Sequence, residues 1–73
     1  MITDMKSISA KLGRNLKKIR TQNKMSQGDI ARALKLDRGY ISNIENGKKN
    51  PTIATIEKLA KALGVSADEL LKE

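Results

Sequence analysis

Apolar residues along this chain recur at helical spacing, and short polar or glycine-containing breaks separate the blocks. Ile8, Leu12, Leu16 and Ile19 lie four, four and three residues apart, which sets one apolar stripe on a helix over about residues 8–22. Gly13 interrupts that helix at a cost of about 1 kcal/mol relative to alanine. Ser26 is a natural N-cap for a short helix over 27–34, with Asp29 at the third position, Met25 and Ile30 as a staple pair, and Ile30, Ala31 and Leu34 facing inward. After the brief Lys35-Leu36 turn, Asp37 caps a helix over 38–46, with Leu36 and Ile41 as the staple and Ile41 and Ile44 inward. Gly47 stops it. Two short helices joined so tightly must cross rather than lie side by side. Thr52 then caps a helix over 53–63 whose stripe is Ile53, Ile56, Leu59, Ala60 and Leu63, and Gly64 closes it. Ser66 and Glu69 have the spacing of a capping box for a last turn over 67–72, with Val65 and Leu70 as its staple. The pattern predicts an all-α, compact five-helix fold, with residues 1–73 as a single domain.

Composition narrows the chemistry. Among 73 residues there is no cysteine and no histidine, and Tyr40 is the sole aromatic residue. Disulfides and thiolate or imidazole zinc sites are excluded, and a reducing cytoplasm is the expected compartment. No apolar run is long enough to span a membrane, and Met1–Ser7 lacks the apolar stretch of a secretory leader. No phosphate-binding glycine loop or nucleophile–base set is present, so no enzyme, cofactor or metal is expected. Net charge is +7 but uneven, for residues 1–49 carry 12 Lys/Arg against 4 Asp/Glu, and residues 50–73 carry 3 against 4. Such a division fits a polyanion-facing side joined to a more neutral one, the alternative being a solubilising surface.

The third helix carries the distinctive side chains. Its outer face presents Arg38, Gly39, Ser42, Asn43 and Asn46 where a merely solvated helix would show Lys and Glu. Arginine can bond guanine O6 and N7 in a two-pronged fashion, and asparagine can do so with adenine N6 and N7. Gly39 allows a close backbone approach. A solvated face of short polar residues is the alternative.

The order and spacing of these pieces settle between the two. The run M-S-Q-G-D-I-A-R-A-L-K-L-D-R-G-Y-I-S-N-I-E-N-G-K-K-N-P-T, followed by I-E-K-L-A-K-A-L-G-V-S-A-D-E-L-L, resembles the helix-turn-helix family of the lambdoid phage repressors and Cro, the XRE family. The likeness covers nearly the whole chain, with Ile8–Arg20 as the first helix. It implies a lambda-repressor-like DNA-binding domain with its helix-turn-helix at Ser26–Asn46. It also implies residue roles. Gln27 would contact a phosphate at a helix start and brace a base-reading side chain. Arg38, Gly39 and Asn43 would face bases with Ser42 beside them, Tyr40 and Asn46 would reach the sugar-phosphate backbone, and Lys48 and Lys49 would neutralise phosphates. Arg20 and Glu45 would pair to hold the recognition helix. Departures from the family pattern are Lys35 where glycine is usual, Asn23-Lys24 in place of another glycine, with Asn23 expected to take the left-handed turn, and Asp37 as cap. The L-D-R-G-Y-I-S-N-I-E stretch also resembles the controller proteins of restriction–modification systems.

The expected function is therefore a sequence-specific regulator of transcription, a repressor or autoregulator on double-stranded DNA in the cytoplasm, with the nucleoid. One such domain buries little groove, so a homodimer on a palindromic operator is expected. Leu70, Leu71 and Val65, with Ile53 or Ile56, are the candidate interface in the less basic C-terminal region. The alternative is that they close the monomer core. A protein-interaction module that has lost DNA binding would lack the face formed by Arg38, Asn43, Lys48 and Lys49.

Overall fold

A computed structural model describes the backbone of residues 5–72 and the side chains from Ile8 to Lys72. Most of the Met1–Ser7 stretch read for a leader lies outside the described residues. Five helices follow in order: α1 Met5–Gln22, α2 Gln27–Leu34, α3 Arg38–Glu45, α4 Ile53–Leu63 and α5 Ala67–Leu71, with no strand among the described residues. Helix α1 begins three residues before the first residue of its apolar stripe, and Asn46 and Lys72 fall just outside their helices as C-caps.

The inward stripes meet in one core. Leu12 and Leu16 of α1, Ile30 and Ala31 of α2, Ile41 and Ile44 of α3, Ile56, Leu59, Ala60 and Leu63 of α4 and Leu70 of α5 are all buried. Burial at this scale is the main drive to fold, each large aliphatic side chain contributing about 1.5–3 kcal/mol. Helix α1 packs on α3 and α5, α2 on α3 and α4, and α4 on α5. Ile53 departs from its expected place in the α4 stripe, for it is 75% exposed, being the first residue of the helix and beyond the reach of the core. Ile8 is likewise exposed at 37%. Leu70 is fully buried and Ile56 nearly so, and both are therefore removed from the candidate interface. Val65, half-buried, and Leu71 and Ile53, exposed, remain.

Four of the turns that end helices share one geometry. A residue in the left-handed region is followed by an N–H that reaches back five positions: Lys24 with Met25 N to Arg20 O, Lys35 with Leu36 N to Ala31 O, Gly47 with Lys48 N to Asn43 O, and Gly64 with Val65 N to Ala60 O. These bonds satisfy carbonyls that a helix end leaves open. Glycine supplies the conformation in two turns and lysine in the other two. The left-handed residue before α2 is Lys24 and not Asn23, because Asn23 is still bonded into α1 through its N–H to Ile19 O. The Asn23 amide meanwhile donates to Leu63 O at 3.1 Å, joining the end of α1 to the end of α4.

Helix starts follow the cap residues with one exception. Ser26 Oγ accepts from Asp29 N at 3.0 Å while Asp29 Oδ2 accepts from Ser26 N at 2.7 Å, so the shorter acid completes a reciprocal capping box. These bonds to Ser26, with Arg32 alongside, hold the Asp29 carboxyl below its ordinary value. Thr52 caps α4 through Thr55 N at 3.2 Å. Ser66 makes no side-chain cap bond, and the capping box expected with Glu69 is absent. Glu69 instead pairs at 2.9 Å with Lys72, the C-cap just past the end of the same short helix.

Candidate nucleic-acid interface

Helix α3 is set against the rest by an ion-pair cluster beneath it. Arg20, at the last turn of α1, donates from Nε to Glu45 Oε2 at 2.6 Å and from Nη2 to Oε1 at 3.0 Å. Its Nη1 donates to Met25 O at 2.8 Å. The Glu45 side chain is 3% exposed and that of Arg20 11%. The Glu45 carboxylate, bonded beside it, raises the Arg20 guanidinium above its ordinary value, and burial works the other way. A pair this buried adds modest net stability, yet loss of either partner strands a charge. Its role is geometric: three elements are joined at one carboxylate.

Gln27 is the third member. Its Nε2 donates to Glu45 Oε1 at 3.0 Å. A carboxylate only accepts, so the contact fixes the amide orientation and turns the Gln27 carbonyl away from Glu45. The start of α2 is thereby indexed to the end of α3. The Arg20–Glu45 pair was implied by the family resemblance, whereas the link to Gln27 had no signal apart from the structure.

Helix α3 reaches α1 closely on its other side. A Cβ added at Gly13 would stand 2.5 Å from Glu45 O and 2.6 Å from Ile44 O. Gly13 is therefore the gap into which the end of α3 fits, which the sequence pattern showed only as an interruption. Beyond this crossing, Ser9 Oγ bonds to Asn50 Oδ1, and the backbone of Ala10 lies beside Gly47. The loop carrying Lys48 and Lys49 is thus held against the start of α1.

On this frame the sequence-selected residues fall into place as follows. Arg38 and Gly39 occupy the exposed first turn of α3, under the Asp37 cap, whose Oδ1 accepts from Gly39 N at 3.4 Å. Ser42 and Asn43 follow, half-buried, and Asn46 is exposed as the C-cap. Tyr40 lies half-buried with its ring against the core. Lys48 and Lys49 are exposed in the loop, and Gln27 is half-buried at the start of α2. No Cβ contact closer than 3.6 Å would arise at Gly39, so its lack of a side chain serves no packing need within the chain.

A helix pair joined by a three-residue turn, with the second helix locked and its polar face outward, is the arrangement of one known family. The helix-turn-helix family matches residues 16–70. The chain belongs to that family. Among helix-turn-helix relatives it is 39% identical over 70 residues to control protein C.MunI of Mycoplasma sp, across 94% of this chain and 95% of the relative. The restriction–modification controller protein C.Esp1396I, solved as a tetramer in complex with its natural 35 base-pair operator, superposes with a TM-score of 0.75 at 38% identity, covering 89% of this chain and 96% of that one. Hydroxypropylphosphonic acid epoxidase from S. wedmorenis gives a TM-score of 0.87 at 28% identity over 92% of this chain, but only 36% of that chain is covered. The helix-turn-helix fold thus also occurs within an enzyme, and function must be argued from the surface residues.

Proposed function

We propose that the chain is a sequence-specific double-stranded DNA-binding regulator of transcription that reads the major groove with α3. The polar face with Arg38 and Gly39 exposed and Asn43 half-buried, on a helix locked by Arg20, Glu45 and Gln27, is the observation that carries this reading. Arg38 and Asn43 read base edges, with Gly39 and Ser42 admitting the groove floor. Gln27, Tyr40, Asn46, Lys48 and Lys49 set the helix on the sugar-phosphate backbone. The similarity to C.MunI and C.Esp1396I supports a controller of a restriction–modification system, acting as a homodimer on a palindromic operator. Its place of action is the cytoplasm, with the nucleoid. Four of the eight acids are engaged within the fold: Asp29 and Asp37 cap helices, Glu45 holds Arg20, and Glu69 pairs with Lys72.

Selection of binders from random duplex DNA tests the reading, and a recovered pool with no shared motif at moderate salt would refute it. Within the recovered motif, Arg38→Ala should weaken binding by about 1–3 kcal/mol and relax one base position. Lys49→Ala should weaken all sequences alike and lower the salt slope by about 1.

A further inference from the structure

The excess positive charge does not reside in the helix-turn-helix. Residues 26–46 contain three basic residues, Arg32, Lys35 and Arg38, against the three acids Asp29, Asp37 and Glu45. Helix α1, by contrast, has six Lys/Arg and no acid in eighteen residues. Arg20 among them is turned into the fold by its bond to Glu45. Arg14, Lys17 and Lys18 are exposed and form no ion pair among the described residues.

Their direction follows from helical geometry. Leu12 and Leu16 point into the core, Gly13 and Arg20 toward α3, and Asn15 toward α5, where its Nδ2 donates to Leu70 O at 2.9 Å. At 3.6 residues per turn, Arg14 and Lys17 occupy the remaining outer arc, with Lys18 at its α5 edge, where it lines a shallow cleft with Asn15, Glu69 and Lys72. Arg14 stands three residues from Lys17 and four from Lys18, spacings at which like charges repel and weaken the helix. Folding gains nothing from such crowding, so a partner of opposite charge is indicated.

The character of the arc selects that partner. It offers no aromatic or large aliphatic anchor, and protein interfaces are built around such anchors and are poor in lysine. An interfacial membrane helix needs an apolar face, and that of α1 is already spent on the core. A row of cations without apolar anchors fits a phosphate backbone. A second duplex would be repelled by the first, whereas the duplex held by α3 is already near. Helix α1 touches α3 at Gly13, and charges act across about 8–10 Å at ordinary salt.

Resting on the reading that α3 holds a duplex, we propose that the outer face of α1, through Arg14, Lys17 and Lys18, is a second phosphate-binding surface that engages the same duplex outside the base pairs α3 reads. It adds affinity without sequence preference and extends the footprint beyond the operator core.

The test compares the wild-type chain with the triple variant Arg14→Gln, Lys17→Gln, Lys18→Gln on two duplexes, one trimmed to the selected motif and one with long random flanks. On the flanked duplex the slope of log affinity against log salt should be shallower for the variant by about 2–3, since each phosphate contact contributes roughly 0.9. That difference amounts to roughly fifteen- to sixtyfold in affinity between about 50 and 200 mM salt. The difference should shrink on the trimmed duplex, and both proteins should select the same motif. Equal slopes on the flanked duplex would overturn the proposal, as would a changed motif, which would mean that α1 acts through the fold. Thermal melting should show the variant as stable as wild type or more so. If the triple variant does not fold, Arg14→Gln and Lys18→Gln singly should each lower the slope by about 0.9, and unchanged slopes again overturn it. A wild-type chain that selects no motif refutes the operator reading instead, and the slopes on unselected duplex still decide the α1 contact.

Discussion

Two of the three helical glycines, Gly13 and Gly39, stand where alanine would be favoured by about 1 kcal/mol, and they are there for different reasons. At Gly13 an added methyl would meet two backbone carbonyl oxygens of α3 at 2.5 and 2.6 Å, and neither can move without shifting the helix. Overpacking of this kind costs about 1–3 kcal/mol, with backbone displacement at the upper end, so it outweighs the propensity gain. At Gly39 the nearest atom is an Asp37 carboxylate oxygen at 3.6 Å, an ordinary contact. Gly13→Ala should therefore lower the melting temperature, while Gly39→Ala should raise it. Since a shift of 1 kcal/mol moves a domain of this size by about 4–8 °C, both changes are within reach of a thermal melt. The functional consequence is the opposite at Gly39, where the methyl would stand between α3 and the groove, and affinity for the selected duplex should fall although the fold is firmer. A Gly39→Ala protein that binds as tightly as wild type would show that α3 does not approach DNA through its first turn.

At the scale of elements, the helices were written in the sequence far more clearly than the turns. Caps at Ser26, Asp37 and Thr52 and stops at Gly47 and Gly64 mark boundaries with local chemistry that does not depend on tertiary context. Lys24 is different, because nothing local favours lysine over Asn23 for a left-handed residue. The choice depends on where α1 ends, and that is set by packing of Ile19 and by the Asn23 bond to Leu63 O. Ser66 failed as a side-chain cap although its neighbours had the right spacing, since a helix as short as α5 lies where α1 and α4 hold it. For the site, residue types on α3 were legible, and the Arg20–Glu45 pair came through the family resemblance. The orientation of Gln27 was not, because it follows from a contact between residues eighteen positions apart. The strained turn makes its own prediction. Lys35 holds φ 57° and ψ 40°, a conformation that costs a side-chain-bearing residue about 1–2 kcal/mol. Glycine removes that strain but adds about 0.5–1 kcal/mol of backbone entropy to the unfolded chain. Lys35→Gly should thus stabilise by roughly 0.5–1 kcal/mol in denaturant unfolding, with unchanged slope. A destabilised variant would mean that the lysine side chain has a partner worth more than the strain.

For the whole molecule, the division of labour differs from the division of charge. The proposed groove reading falls to a helix pair that is electrically balanced, surplus cations lie on α1 and in the Lys48-Lys49 loop, and apart from Ile8 of α1 the exposed large aliphatic side chains lie on α4 and α5. Ile53, 75% exposed, begins α4 and Leu71, 42% exposed, ends α5, with Val65 half-buried between those helices. With Leu70 and Ile56 committed to the core, these three are what remains to form the proposed two-fold contact. Leu71 is partly covered in the monomer, so a dimer can remove from water only the rest of its surface, worth about 1 kcal/mol per copy. A two-fold axis counts each substitution twice, so Leu71→Lys should weaken the dimer by about 2 kcal/mol, roughly thirtyfold in Kd. Sedimentation equilibrium should show this with the thermal stability of the monomer unaltered, because the replaced side chain already faces solvent. Ile53→Lys tests the start of α4 in the same way. If Ile53→Lys dissociates the dimer and Leu71→Lys does not, the axis runs past α4 and not α5. If neither changes the association, the exposed aliphatic residues are not the interface. In either dimeric arrangement the variant that dissociates should still bind a half-site with the same base preference, since Arg38 and Asn43 belong to one chain's α3 and owe their placement to Arg20, Glu45 and Gly13 of that same chain.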